Sequence, residues 1–274
     1  MPPLSRREAE VLTALGERLT NAEIAGRLYV SVRTVETYVS SLLRKFNAEN
    51  RRELADIARN RSSAADASNL RPLPPRLTAI VGRGEDVAAV KALLDLCRLA
   101  TLTGPAGVGK TRLAIEVAAT IGRKADTQIA FVDLTSATDE ATVLAAAAAA
   151  VGVTSDGGRS IPDALQHRLR AAGPLVVVVD NCEHVLDAAS RFVIDGLAVN
   201  EGLKVLTTSR ERLGIPGEHV YAVLPLAERA AAELFWERAS AVEPNYGAPA
   251  SSTEEAARSI CRRLDGLPLA IELA

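Results

Sequence analysis

Residues 104–111, Gly104-Pro105-Ala106-Gly107-Val108-Gly109-Lys110-Thr111, fill every fixed position of the pattern G-x-x-x-x-G-K-[ST]. That spacing suits the cradling of a phosphate chain. Glycines let successive backbone N–H groups turn inward on an anion, the start of a following helix adds partial positive charge, and Lys110 supplies a point charge for the outer phosphates. Thr111 offers a hydroxyl to Mg²⁺. A glycine-rich turn that binds nothing is the alternative, and the flanks weigh against it. The apolar run Leu99–Thr103 comes directly before the loop and a helical pattern, Arg112 through Ile121, directly after, which is the strand–loop–helix context the motif requires.

A second group lies further along. Val176-Val177-Val178-Val179-Asp180 reads as a buried strand ending in a carboxylate, which after a phosphate loop is expected to order Mg²⁺ and its water. The next residue is Asn181, an amide that cannot take a proton from water. Glu183 could stand in for that acid, or be a solvated loop charge. Slow hydrolysis is therefore expected, suited to a switch or timer. Arg210, at the end of the run Lys204–Ser209, is either a contact to the terminal phosphate or an ordinary strand-end arginine. The catalytic candidates are thus Lys110, Asp180, Glu183 and Arg210, with Thr111 and Asp180 for the metal.

The elements that must position these groups read as strands alternating with helices. Ala100–Thr103, Gln128–Leu134, Leu175–Asp180 and Lys204–Ser209 are apolar and rich in β-branched residues, with helical segments between. That order predicts a parallel sheet wrapped by helices. Ala145–Ala150 falls within one of those helices, and beyond Leu224-Pro225-Leu226 the pattern is helical to Ala274. The chain stops there in mid-helix, which reads as a piece of a longer protein. Upstream, a Ser-, Ala- and Pro-rich stretch at 62–76 reads as a linker. The expected organisation is multidomain: an all-α unit over 1–61, the linker, an α/β nucleotide unit over 77–222, and the start of a small helical domain over 223–274.

Within the first unit, Thr20 or Asn21 caps a short helix whose inward residues are Ile24, Ala25 and Leu28. After the tight connection Tyr29-Val30-Ser31, Ser31 caps a second helix running from Val32 to about Phe46. Its inward face is Val35, Val39, Leu42, Leu43 and Phe46, leaving Arg33, Thr34, Thr37, Ser41, Arg44 and Lys45 mostly outside. Two short helices joined by about three residues describe a helix-turn-helix whose second member enters the DNA major groove, or a generic three-helix bundle. Residues 1–61 carry eleven basic and eight acidic side chains, net +3, in a chain of net −2, so the remainder carries −5. A basic reader beside an acidic body suits phosphate attraction. With no apolar run long enough to span a membrane, no signal-peptide core, and three scattered cysteines (Cys97, Cys182, Cys261) that suggest neither disulfides nor zinc, a reducing cytoplasmic setting is expected.

From about Ala79 onward the chain resembles the NB-ARC-like branch of the STAND class of P-loop ATPases. Ile80-Val81-Gly82-Arg83-Gly84-Glu85 is similar to its hhGRxxE adenine-side element, Gly104–Thr111 to its Walker A, and Val176–Asp180 with Asn181-Cys182-Glu183-His184 to its Walker B. Thr208-Ser209-Arg210 looks like its sensor, and Gly266-Leu267-Pro268-Leu269-Ala270 like its GLPLA element. The resemblance implies ATP or ADP with Mg²⁺, held by Val81, Gly82, Arg83, the loop Gly104, Pro105, Ala106, Gly107, Val108, Gly109, Lys110 and Thr111, then Arg112 and Pro268. It also implies switching between closed and open states.

Residues 3–58 resemble the LuxR-type helix-turn-helix, through Leu4–Leu12, Thr20–Ala25 and Ser31–Val39. This resemblance implies double-stranded DNA as partner and base reading from positions matching Glu36, Thr37 and Ser40, with Arg33, Thr34 and Lys45 alongside. Relatives often carry lysine at the first and last of those three positions, so their specificity does not transfer. Pairing through the last helix, Arg52 to about Ala58, implies homodimers on a near-palindromic site. Two other readings compete with a nucleotide-switched regulator. A small-molecule kinase would need a basic lid, for which no candidate is found, and Asn181 argues against a nucleic-acid-dependent motor.

Overall fold

The computed structural model of the protein describes residues 4–17, 19–55, 57–58, 70–123, 127–153, 160–243 and 251–274. The chain divides into two units, residues 1–69 and 70–274, and part of the expected linker, 62–69, lies outside the described residues.

The first unit is helical. Helix α1 spans Arg6–Gly16, α2 Asn21–Leu28 and α3 Val32–Phe46, and residues 51–55 and 57–58 are helical as well. Ser5 with Glu8 and Thr20 with Glu23 form capping boxes, so Thr20 rather than Asn21 caps α2. Tyr29 and Asn47 close α2 and α3 in left-handed conformations. Val11, Leu15, Ile24, Val35, Leu42 and Leu54 are fully buried together, while Val39, Leu43 and Phe46 pack around them half-buried. Arg51 reaches Asn21 and the Leu19 carbonyl, fixing the last helical stretch to α2.

Glu8 ties α1 to α3. It is only 6% exposed; it accepts from Lys45 Nζ (2.8 Å), Ser41 Oγ (2.9 Å) and its own cap at Ser5 N (2.8 Å). Lys45 first, then the Ser5 N–H and the Ser41 hydroxyl, hold its carboxyl at about 2, against an ordinary 4.5. Because the folded state favours the ionised form, this stabilisation is complete above pH 4.5 and is lost as pH falls from there toward 2. Thermal melts of the N-terminal unit are expected to drop across that window, and the Glu8→Gln variant, already less stable at neutral pH, should drop less.

The second unit is built on a five-stranded sheet in the order β2-β3-β4-β1-β5. The strands are β1 Leu99–Thr103, β2 Gln128–Asp133, β3 Leu175–Asp180, β4 Leu203–Ser209 and β5 Glu218–Ala222, and all pair in parallel. Helices α4 (Gly84–Leu96) and α5 (Lys110–Gly122) cover one face. The other face is covered by α6 (Glu140–Ala150), α7 (Ile161–Ala171) and α8 (Leu186–Val199). In β3, Val177 and Val179 enter one core and Val178 the other; burying such a side chain contributes roughly 1.5–3 kcal/mol. This two-sided burial is why β3 reads as an unbroken apolar run up to Asp180.

Beyond β5, α9 (Glu228–Val242), α10 (Ser251–Arg263) and α11 (Pro268–Glu272) pack around Leu226, Ala231, Leu234, Cys261 and Ile271. Residues 70–76 depart from the linker expectation. Leu70 and Leu73 pack on the two faces of the sheet unit, Arg71 N donates to Ala150 O (2.8 Å), and Arg76 pairs with Glu116 (3.0 Å). Two leucines in a Pro-rich stretch are enough to hold it down. The edge strand β5 was not foreseen either: its residues are exposed or half-buried, so it lacks the apolar signature of the other four.

Candidate nucleotide site and helix-turn-helix surface

The carboxyl ends of β1, β3 and β4 bring the chemistry together, as open parallel sheets do. The loop after β1 takes positive φ at Gly104 (149°), Gly107 (77°) and Gly109 (95°), and α5 starts at Lys110. A Cβ on Gly104 would lie 2.7 Å from the Val223 carbonyl oxygen, so the glycine is required for fit as well as for conformation. Lys110, 8% exposed, donates from Nζ to Gly104 O (2.9 Å) and Pro105 O (3.1 Å). Burial pushes its pKa down, opposed by Glu183.

At the end of β3, Asp180 Oδ1 accepts from Thr111 (2.8 Å) and from Thr208 (2.5 Å). Burial raises its pKa, against the pull of those two hydroxyls. Asn181 follows in a left-handed conformation (φ 68°), its N–H donating to Thr208 Oγ1 (3.0 Å), and a 3₁₀ turn, Cys182–His184, comes next. Glu183 Oε1 lies 3.3 Å from Arg210 Nε.

Ala106–Arg112, Asn181, Glu183 and Arg210 line a cavity of about 500 Å³ that also receives residues from the C-terminal helices. Leu269 N donates to Gly107 O (3.2 Å), placing Pro268 and Leu269 over the loop. Ile80, Val81, Leu226 and Leu234 supply an apolar wall. At the rim, Arg238 pairs with Glu272 (2.9 Å) and donates to Thr78 Oγ1 (3.2 Å), which Arg112 also reaches (3.2 Å). One end of the cavity is cationic and backbone-rich and the other apolar, which fits a phosphorylated ligand with a flat base. The Thr111 hydroxyl beside the Asp180 carboxylate is a hard-oxygen donor set that fits Mg²⁺.

On the first unit, Arg33, Glu36, Thr37 and Ser40 lie exposed along α3. Thr34 is half-buried, its hydroxyl 2.7 Å from Ser31 Oγ within the helix cap.

Family models match both units: residues 2–58 match the luxR family of bacterial regulatory proteins, and residues 94–213 an AAA domain. The chain joins a luxR-family helix-turn-helix to an AAA-type P-loop domain.

It is 44% identical over 186 residues to a putative HTH-type transcriptional regulator of Mycobacterium tuberculosis, covering 68% of this chain and 21% of that one. An uncharacterized protein of the same organism is 40% identical over 199 residues, covering 72% of this chain and 50% of its own. The chain therefore spans between a fifth and a half of these relatives. In fold, the Aeropyrum pernix ORC1 protein, solved in complex with DNA, superposes with a TM-score of 0.56 at 18% identity, covering 71% of this chain and 58% of that one. Among the described residues, no helix is long and apolar enough to cross a membrane.

In the P-loop domain, Val81, Arg83, Ala106–Arg112, Glu183, Arg210 and Pro268 all line the one cavity. Gly82, Gly104, Pro105 and Asp180 do not line it: Asp180 stands behind Thr111, and Gly82 faces Ala230 on α9. Arg83, expected on the nucleotide, commits its guanidinium elsewhere. Buried to 6% exposure, it donates to Asp86 (2.9 Å), Val108 O (3.0 Å) and Leu224 O (2.7 Å). It thus ties the phosphate loop to the segment leading into the C-terminal helices. In the helix-turn-helix, Lys45 departs from the expected DNA-contact set, because it reaches back to Glu8 on α1. Thr78, Leu226, Leu234, Arg238 and Glu272 were not anticipated. Leu226 and Leu234 belong to an apolar pattern any core helix shows, and the others carry no motif.

Proposed function

We propose that this chain is the DNA-reading and nucleotide-switching part of a transcriptional regulator. Its P-loop domain binds ATP or ADP with Mg²⁺ and hydrolyses ATP slowly, and the occupant changes how the helix-turn-helix engages double-stranded DNA. The observation that carries this reading is the convergence of the phosphate loop, Glu183 and Arg210 on one cavity under Pro268 and Leu269, with Asp180 and Thr208 hydrogen-bonded in a chain behind Thr111. Leu269 N donates to the Gly107 carbonyl, which supports a coupling of the C-terminal helices to what the loop holds. Thr111 and Asp180 would hold Mg²⁺, which when bound offsets phosphate charge.

Base contacts fall to Glu36, Thr37 and Ser40, with Arg33 beside them on the phosphate backbone; all four are exposed on the helix that enters the groove. Glu36 offers an acceptor to a cytosine amino group. A single small module binds weakly, so activation works through homodimers or larger assemblies that raise the local concentration of readers. Duplexes enriched by in vitro selection from a random library provide the test. Their affinity for the protein should differ between Mg-ADP and a non-hydrolysable ATP analogue by at least about fivefold, the low end of ordinary coupling. Arg33→Ala should weaken binding and flatten its salt dependence by about one unit of slope. Equal affinity and equal oligomer size in both nucleotide states would sink the switching claim.

A further inference from the structure

We propose that Glu183 is the catalytic base for ATP hydrolysis at this site and that Arg210 is the positioning residue that aims it, an inference that rests on the cavity taking ATP. The residue directly after the strand-end acid cannot serve. Asn181 is an amide, its side chain donates to Thr135 Oγ1 (3.4 Å), and its backbone N–H is spent on Thr208. Asp180 is occupied as well, since its Oδ1 takes both the Thr111 and the Thr208 hydroxyls.

The local fold delivers the next carboxylate instead. With Asn181 in the left-handed region, which asparagine tolerates better than most residues, the chain turns sharply into the 3₁₀ segment. Cys182 goes into the core at 0% exposure. His184 is pinned by Leu134 O at 2.9 Å. Glu183, between them, is left on the cavity wall with Lys110 and Arg210.

The two oxygens of Glu183 differ. Oε1 is engaged by Arg210 Nε at 3.3 Å, whereas Oε2 is buried and has no hydrogen-bond partner. A buried carboxylate oxygen without a donor is costly, so rotation of the Glu183 carboxylate toward water in the cavity it lines is favoured. Arg210, which engages Oε1, holds the carboxylate at that wall. In the step, the water oxygen bonds to the terminal phosphorus while the bond to the bridging oxygen breaks, and that electron pair leaves with ADP. The water proton passes to the Glu183 carboxylate and then to inorganic phosphate.

The test uses the full chain, with Mg-ATP and Mg-ADP affinities measured by calorimetry before any rate. If neither binds, the nucleotide reading fails by itself and takes this inference with it. If they bind, single-turnover cleavage in Glu183→Gln should be at least about 100-fold slower. Affinities should stay within about threefold, and chromatography of protein-bound nucleotide after long incubation should recover ATP where the wild type yields ADP. Arg210→Gln should slow cleavage, Arg210→Lys should recover part of the loss, and the double variant should be no slower than Glu183→Gln alone, because Arg210 acts through Glu183. Cleavage in Glu183→Gln within a few fold of wild type, multiplying losses in the double variant, or wild-type binding with no cleavage would each overturn the assignment.

Discussion

Lys110→Ala lowers the affinity of the chain for Mg-ADP by at least about 100-fold, and for Mg-ATP by more, with little change in melting temperature when nucleotide is left out. The size follows from the contact removed: losing one partner of a desolvated, charged hydrogen bond costs about 2–5 kcal/mol, and every 1.4 kcal/mol is about tenfold. The small stability effect follows from what Lys110 touches. Its Nζ binds the Gly104 and Pro105 carbonyls from a side chain that itself lines the water-open cavity, so truncation lets water reach both carbonyls rather than leaving an orphan in a dry core. Wild-type melting should rise with ligand, by about 2.7 kcal/mol of stabilisation at a hundred times Kd, and the variant should show almost none of that rise. Calorimetry and thermal melts on the same samples check both halves. Undiminished affinity would remove the phosphate cradle from the account.

How far the sequence could be read depended on how local each signal was. β1, β3 and β4 were legible because strands buried on both faces are rich in apolar and β-branched residues, and the six residues of β3 are all buried. β5 was not, because an edge strand with residues such as Glu218 and His219 half in water has no such constraint. The phosphate loop was legible because one eight-residue segment does the work. Its Thr208 partner fell inside a quoted motif, yet its role appears only when β4 is laid beside β3, where one hydroxyl serves Asp180 and Asn181 N together. Arg238, Glu272 and Thr78 come from three distant segments and meet only through the fold.

The same logic explains Arg83 and Lys45. Pattern marked both as ligand contacts, but an arginine has several donors, and Arg83 finds three protein acceptors before any ligand is considered. Tyr221 lengthens that network by donating to Asp86 Oδ1 at 2.5 Å, a bond that joins β5 to α4. Lys45 sits in the last turn of α3, within reach of Glu8, an acid held in place by its own cap. A charge count registers Lys45 as available to phosphate. The packing of α1 against α3 shows that it is engaged.

Gly82→Ala destabilises the P-loop domain by about 2–5 kcal/mol, through two costs that can be separated. Gly82 has φ 65°, where a residue with a Cβ costs roughly 1–2 kcal/mol. Its Cβ would also fall 2.2 Å from Ala230 Cβ on α9, and such overpacking costs about 1–3 kcal/mol. Relaxation would push α9 away from residues 80–83, which opens the apolar wall that Val81, Leu226 and Leu234 form, so nucleotide affinity should fall with stability. Ala230→Gly discriminates the causes. By itself it costs about 1 kcal/mol as a glycine inside a helix, but it leaves the new Cβ the Ala230 Cα at 3.5 Å and Leu226 Cδ2 at 3.7 Å, both ordinary contacts. Denaturant melts should therefore show Gly82→Ala with Ala230→Gly to be less destabilised than the sum of the two single variants, with the conformational cost at position 82 remaining. Strict additivity would mean that the close approach of Gly82 to α9 is absent, and with it the contact that fixes the helical roof to the adenine-side segment.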